Sequence, residues 1–182
     1  MNIAELVVEV HRRLGAAGIP HAFGGALAFG YAAEPRGTVD VDVNTFVSRD
    51  ELPRIEAALA PIGLAVDNPD TLPAAGLRFT AAGIRYPVDV FPSLDPRYDQ
   101  IARRVVQMPF GREKELLPFL SAEDICVFKL SFGRPKDWVD LAVVASARPD
   151  IDVDYIEDQV VGLRGPTMYP RVARFRRLLP LR

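Results

Sequence analysis

The sequence predicts an α+β fold, on three observations. Residues 39–47 alternate apolar and polar side chains as a half-buried strand does, and further short strand-like runs share the first two thirds of the chain with helices. The last third instead carries apolar residues at helical spacing behind capping signals. Both kinds of element lie in a chain of 182 residues with 49% apolar and 25% charged side chains, enough to bury one core. One domain is expected over 1–182, with an α/β core over 1–115 and a helical part over 116–182.

The elements follow in order. Ile3, Val7, Val10 and Leu14 mark an amphipathic helix that stops at Gly15 and Gly18. A short strand around 21–23 runs into Gly24 and Gly25, and a helix over 26–33 is broken by Pro35 and Gly37. In the strand over 39–47, Val39, Val41 and Val43 point one way while Asp40, Asp42 and Asn44 point the other. Ser48 and Glu51 have capping-box spacing and predict a helix to about residue 60. Strands are expected near 64–66, 77–81, 85–91 and 103–108, with a loop at Pro69 and Pro73. Ser121 and Asp124 repeat the capping signal ahead of a helix to about 132. Further helices are expected over 135–147, 152–163 and 170–179, the last ended by Pro180.

Composition excludes several classes of function. A lone Cys126 forms no internal disulfide and is expected to be a buried, inert thiol. Glu5 and Glu9 interrupt the N-terminal segment where a signal peptide needs an apolar run, and no stretch is long and apolar enough to span a bilayer. A cytoplasmic protein without membrane contact is the expectation. Six of the 22 basic residues lie in 164–182, which holds no acid, so an acidic body carries a basic tail suited to an anionic partner.

Asp40 and Asp42, at i and i+2 on one strand, send two carboxylates off the same face. Either they form a solvent-facing acidic edge or they hold a divalent cation, and hard oxygen ligands on a rigid strand suit magnesium. Upstream, Gly24 and Gly25 lie between a strand and a helix, where backbone N–H groups can approach an anion at a helix N-terminus. Together the two elements describe a phosphate grip facing a metal site. Lys129 falls on the stripe Ile125, Phe128 and Phe132, so its ammonium either snorkels to the surface or meets an anion. Asp137 and Asp140, in the first turns after Pro135, equally suit helix N-terminal stabilisation, and Trp138 reads as core. His11 and His21 form no recognisable ligand pair.

The order Gly24-Gly25-Ala26-Leu27, then Arg36-Gly37-Thr38-Val39-Asp40-Val41-Asp42-Val43, resembles the signature of the DNA polymerase beta-like nucleotidyltransferase superfamily. More narrowly it is similar to the AbiEii/AbiGii-type toxin branch, across roughly residues 20–145. Val88-Asp89-Val90 then matches a third acid, Lys129-Leu130 the lysine motif, and Lys136-Asp137-Trp138-Val139-Asp140 the final motif. Gly25 stands where many relatives have serine.

The resemblance implies a nucleotidyltransferase fold, a small mixed sheet flanked by helices with a helical C-terminal third. It also implies transfer of a nucleotide from an NTP with a two-metal magnesium site on Asp40, Asp42 and Asp89. Gly24, Gly25, Thr38 and Lys129 would bind the nucleotide, and Lys129 and Asp137 would join the acids in catalysis. The toxin branch implies tRNA or another RNA as acceptor and a cognate antitoxin as partner. The alternatives are an antitoxin modifying a partner protein, an enzyme acting on an aminoglycoside-like small molecule, and a catalytically silent binding module. For RNA, Arg171, Arg174 and Arg177 recur at i, i+3 and i+6 beside the stripe Val172, Phe175, Leu178 and Leu179. That row either follows a phosphate backbone or is a solvated face offsetting the acidic body.

Overall fold

The computed structural model describes residues 1–67 and 76–180, so Arg182 and the expected loop at Pro69 and Pro73 lie outside the described residues. Helix α1 (Ile3–Ala16) starts at a reciprocal cap: Asn2 Oδ1 accepts the Glu5 N–H at 3.0 Å, and Glu5 accepts the Asn2 N–H at 2.9 Å. Its stripe of Leu6, Val7, Val10 and Leu14 is buried. Strand β1 (His21–Phe23), helix α2 (Gly25–Ala32) and strand β2 (Val41–Ser48) follow. Then come α3 (Leu52–Leu59), β3 (Ala65–Val66), β4 (Leu77–Thr80) and β5 (Val88–Ser93). After α4 (Tyr98–Arg103) the hairpin β6 (Val106–Phe110) and β7 (Glu115–Phe119) leads to α5 (Ala122–Phe132), α6 (Pro135–Ala147), α7 (Val153–Arg164) and α8 (Tyr169–Arg176).

The seven strands form one mixed sheet in the order β3-β4-β5-β2-β1-β7-β6, the α+β arrangement that the sequence predicts. β2 pairs antiparallel with β1 and parallel with β5. Leu77, Phe79, Val88, Val90, Val41 and Val43 are all buried on one side of β4, β5 and β2. Alternation therefore places Arg78, Asp89 and Asp42 on the opposite face. On the C-terminal side, α5 packs against α2, α6 and α7. Cys126 is fully buried, and burial pushes its thiol pKa up, as expected of an inert thiol.

Four local expectations are corrected. β2 begins at Val41, so Asp40 lies in the bend before the strand and Val39 is 74% exposed instead of facing the core. Thr38 holds a turn there, its one hydroxyl proton shared between the Asp40 carbonyl at 3.0 Å and Asp40 Oδ1 at 2.8 Å. Ser48 occupies the N-cap position of a 3-10 turn over Arg49–Glu51 that runs into α3, but makes no side-chain cap. The strand expected over 103–108 begins at Val106, since 98–103 form α4. The sheet also runs on past residue 115 through β7, a strand in which Pro118 hides the usual β pattern.

His11 and His21 meet at 3.0 Å between Nδ1 and Nε2, and His21 Nδ1 lies 2.8 Å from the Ile19 carbonyl. His21 is buried, and burial lowers its pKa to about 4 against the opposing backbone hydrogen bond. A depressed histidine favours the folded state above its unfolded pKa of 6.5 and loses that advantage as pH falls toward 4. Relative to a His21→Leu variant, the native protein should therefore lose up to about 3 kcal/mol between pH 6.5 and 4, measured by urea unfolding at each pH. A pH-independent difference between the two would mean that His21 is not held neutral. Among the described residues no helix is long and apolar enough to cross a membrane.

Candidate active site

Three strands bring three charges into a row. In the parallel β2–β5 pair Asp42 lies directly beside Asp89, and in the antiparallel β4–β5 pair Arg78 lies directly beside Asp89. Arg78 grips Asp89 with two parallel bonds, Nε to Oδ1 at 2.8 Å and Nη2 to Oδ2 at 2.7 Å. Asp40 approaches from the turn before β2, where Thr38 Oγ1 donates to its Oδ1 at 2.8 Å. The Asp42 carboxyl pKa is raised to about 6, first by burial and then by the neighbouring charges of Asp40 and Asp89, with Lys129 and Lys136 opposing.

The glycine pair fits closely around this acid. Gly25 has φ +52°, and a Cβ there would fall inside the Asp42 carboxylate, so the N-terminus of α2 and Asp42 are in direct contact. A serine at this position would have to displace Asp42. Gly24 donates its N–H to the Asp42 carbonyl at 2.9 Å, and a Cβ on it would lie 2.8 Å from Asn44 Nδ2. The Gly24 N–H is thus committed to the sheet. Donors for an anion are the N–H groups of the first turn of α2, beginning with Gly25.

On the helical side, Lys129 is buried and its ammonium donates to Asp140 Oδ2 at 2.5 Å, with Asp137 Oδ1 at 4.0 Å and the Phe29 ring at 5.5 Å. Arg36 binds the same Asp140 through Nε at 3.2 Å and Nη2 at 2.9 Å. Burial raises the Asp140 pKa, but the hydrogen bonds from Arg36 and Lys129 outweigh it, and the net shift is downward. The anion that Lys129 meets here is Asp140. Asp137, also buried, accepts the Arg134 backbone N–H at 3.0 Å and its side chain at 2.8 and 3.1 Å, and so caps α6. The exposed Arg134 and Lys136 place positive charge toward Asp42, and Arg134 also toward Asp40.

The sequence alone points to no role for Arg78, Arg36, Arg134 or Lys136, and names Asp137 but not Asp140 for catalysis. Arg36 and Lys136 did stand inside the motif segments. The signal for Arg78 was its place between Leu77 and Phe79, which puts it on the face of the acids once β4 is a strand.

The carboxylates of Asp40, Asp42 and Asp89 suit a hard divalent cation: burial first, and then the charges of Asp40 and Asp89, raise the Asp42 pKa, and a cation offsets both. With Asp89 turned onto Arg78, no group of three or more such side chains converges on one point among the described residues.

The basic tail is partly spoken for. Arg171 Nη1 donates to the Leu130 and Ser131 carbonyls at 2.7 and 2.9 Å and closes the C-terminal end of α5. Arg174 lies 3.9 Å over the half-buried Trp138 ring, and Arg176 pairs with Asp154 and Glu157. Arg177 is exposed. A groove of about 700 Å³ beside α1 and the β6–β7 turn is lined by none of the site residues.

Residues 17–164 match the family described as nucleotidyl transferase AbiEii toxin, type IV TA system. No curated protein matches the chain by sequence. The fold is similar to the solution structure of the antibiotic-resistance factor ANT(2'')-Ia, with TM-score 0.64 and 14% identity over 96% of each chain. It is similar to the lincomycin-bound lincosamide antibiotic adenylyltransferase LnuA, with TM-score 0.58 and 11% identity over 81% of this chain and 98% of that one. A nucleotidyltransferase-like antigenic protein from Paracoccidioides brasiliensis matches with TM-score 0.57 and 15% identity over 97% and 92%. At these identities the likeness is one of fold.

Proposed function

Because the chain belongs to the AbiEii nucleotidyl transferase toxin family, we propose that it transfers a nucleoside monophosphate from an NTP to an RNA acceptor, with tRNA foremost, as the toxin of a toxin–antitoxin pair. The observation that carries the transfer chemistry is the in-register placement of Asp42 beside Asp89, with Asp40 at the strand entrance and the N-terminus of α2 against Asp42. Magnesium held by Asp40, Asp42 and Asp89 would neutralise charge on the triphosphate. The first-turn N–H groups of α2, with Gly25 free of a side chain, receive phosphate oxygens. Lys129, Arg134 and Lys136 add positive charge for the leaving pyrophosphate. Asp89 accepts the proton of the attacking hydroxyl; the new oxygen–phosphorus bond forms as the bond to the β-phosphate oxygen breaks. A silent module has no need of this arrangement.

Incubation with each α-labelled NTP, magnesium, total RNA and cell protein tests the acceptor. Label in RNA supports the toxin reading, label in protein supports an antitoxin-like enzyme, and no label in RNA, in protein or on an added small-molecule acceptor overturns transfer. A small-molecule acceptor is the second reading, on the likeness in fold to ANT(2'')-Ia over nearly the whole of both chains. It is tested with aminoglycosides in the same assay.

If RNA follows α8, Arg174 and Arg177 are the arginines of the row left to meet phosphate, since Arg171 is bound to α5. Changing both to Gln should weaken RNA binding and flatten the slope of log affinity against log salt by about 1.5 units. NTP affinity should not change. An unaltered salt slope removes this face as the acceptor site.

A further inference from the structure

We propose that Arg78 is a latch on the third carboxylate: it holds Asp89 away from the other two acids until a divalent cation displaces it, and so sets the affinity of the site for metal. The proposal rests on the reading that Asp40, Asp42 and Asp89 form one metal site. Arg78 sits on β4 and Asp42 on β2, so Asp89 on the strand between them has a cationic neighbour on one side and an anionic one on the other. It turns to the cation. The two parallel bonds occupy both Asp89 oxygens, which a hard cation needs, and no group of three or more carboxylates able to hold a metal is formed among the described residues in this state.

The energetics favour a switch over a fixed brace. Arg78 is about half exposed whereas Asp89 is only 17% exposed, so the guanidinium can swing into water while the carboxylate stays on the sheet. A partly exposed pair of this kind contributes little net stability, so a doubly charged ion competes for Asp89 on good terms. The guanidinium also feels the charges of Asp40 and Asp67, which keep it near the site after release. Arg78 approaches from the β4 side of Asp89, opposite to Asp42 and the N-terminus of α2, so its departure leaves the phosphate grip undisturbed. It acts through Asp89 and is a positioning residue.

The test is Mn²⁺ binding to the full chain without nucleotide, read by the EPR signal of the free ion. Arg78→Gln should tighten binding three- to tenfold. Arg78→Lys keeps the charge but cannot make the paired bonds, and should tighten it at least twofold. If Arg78→Lys binds Mn²⁺ as the native protein does, any gain in Arg78→Gln is general charge removal and the latch is overturned; if neither variant gains, it is overturned outright. Adding Asp42→Asn to Arg78→Gln separates the two levels of the argument. Saturable binding that survives Asp42→Asn, or no saturable binding in any variant, refutes the metal-site reading itself and the latch with it.

Discussion

Replacing Asp42 with Asn is expected to lower nucleotidyl transfer at least a thousandfold, equivalent to about 4 kcal/mol of transition-state stabilisation, and to make the protein more stable near neutral pH. The second half follows from the raised pKa. The folded form of Asp42 titrates at about 6 against an ordinary 3.8, so between these values the folded state binds more protons than the unfolded one and stability falls as pH rises. Above pH 6 the charged group costs up to about 3 kcal/mol, which Asn removes. Thermal melts should show the variant above the native protein at pH 8 and level with it near pH 4. Asp40→Ala and Asp89→Ala should lose transfer to the same degree with the fold intact. A variant that loses activity by unfolding would make these acids structural.

Asp140→Asn should destabilise the fold by about 3 kcal/mol, because it strips the buried Lys129 ammonium of its 2.5 Å partner. Lys129→Met is gentler. It leaves Asp140 bonded to Arg36, which reaches it from a more exposed position, and removes the buried cation altogether. If Lys129 also serves the triphosphate, this variant folds but binds NTP weakly. The double variant should recover most of the stability lost in Asp140→Asn, a coupling that urea unfolding of all four proteins measures directly. Equal stability of Asp140→Asn and the native chain would show that Lys129 reaches water without help.

Period-two alternation placed Asp42 on the polar face of β2, and the Asp89 match to the third acid put the second carboxylate on a strand that proves to be its neighbour. The same alternation failed one residue earlier, because the hydroxyl of Thr38 turns the backbone at Asp40, and strand patterns do not contain such local competition. The Ser48–Glu51 spacing did mark the start of a helical run, but that run opens as a 3-10 turn without the side-chain cap. Helix α8 was legible from its apolar stripe, yet the partners of its arginines were not. Arg171 answers to carbonyls at Leu130 and Ser131, and Arg174 to Trp138, and contacts so distant in the chain leave no mark in local spacing. The pairing of Lys129 with Asp140 was hidden likewise, since each residue alone reads as a motif element.

The parallel pairing of β2 with β5 makes the timing of folding matter to the chemistry. Asp42 and Asp89 are far apart in sequence, with α3, β3 and β4 between them, and become neighbours when the two strands dock in register. Parallel strands joined by long crossovers close late and pay the loop entropy first. A chain still emerging from the ribosome up to β2 holds two of the three acids, without Asp89 beside Asp42, and cannot perform transfer. On the proposed reading of tRNA as acceptor, competence that arrives only with completion of the sheet spares the ribosome that is making the chain.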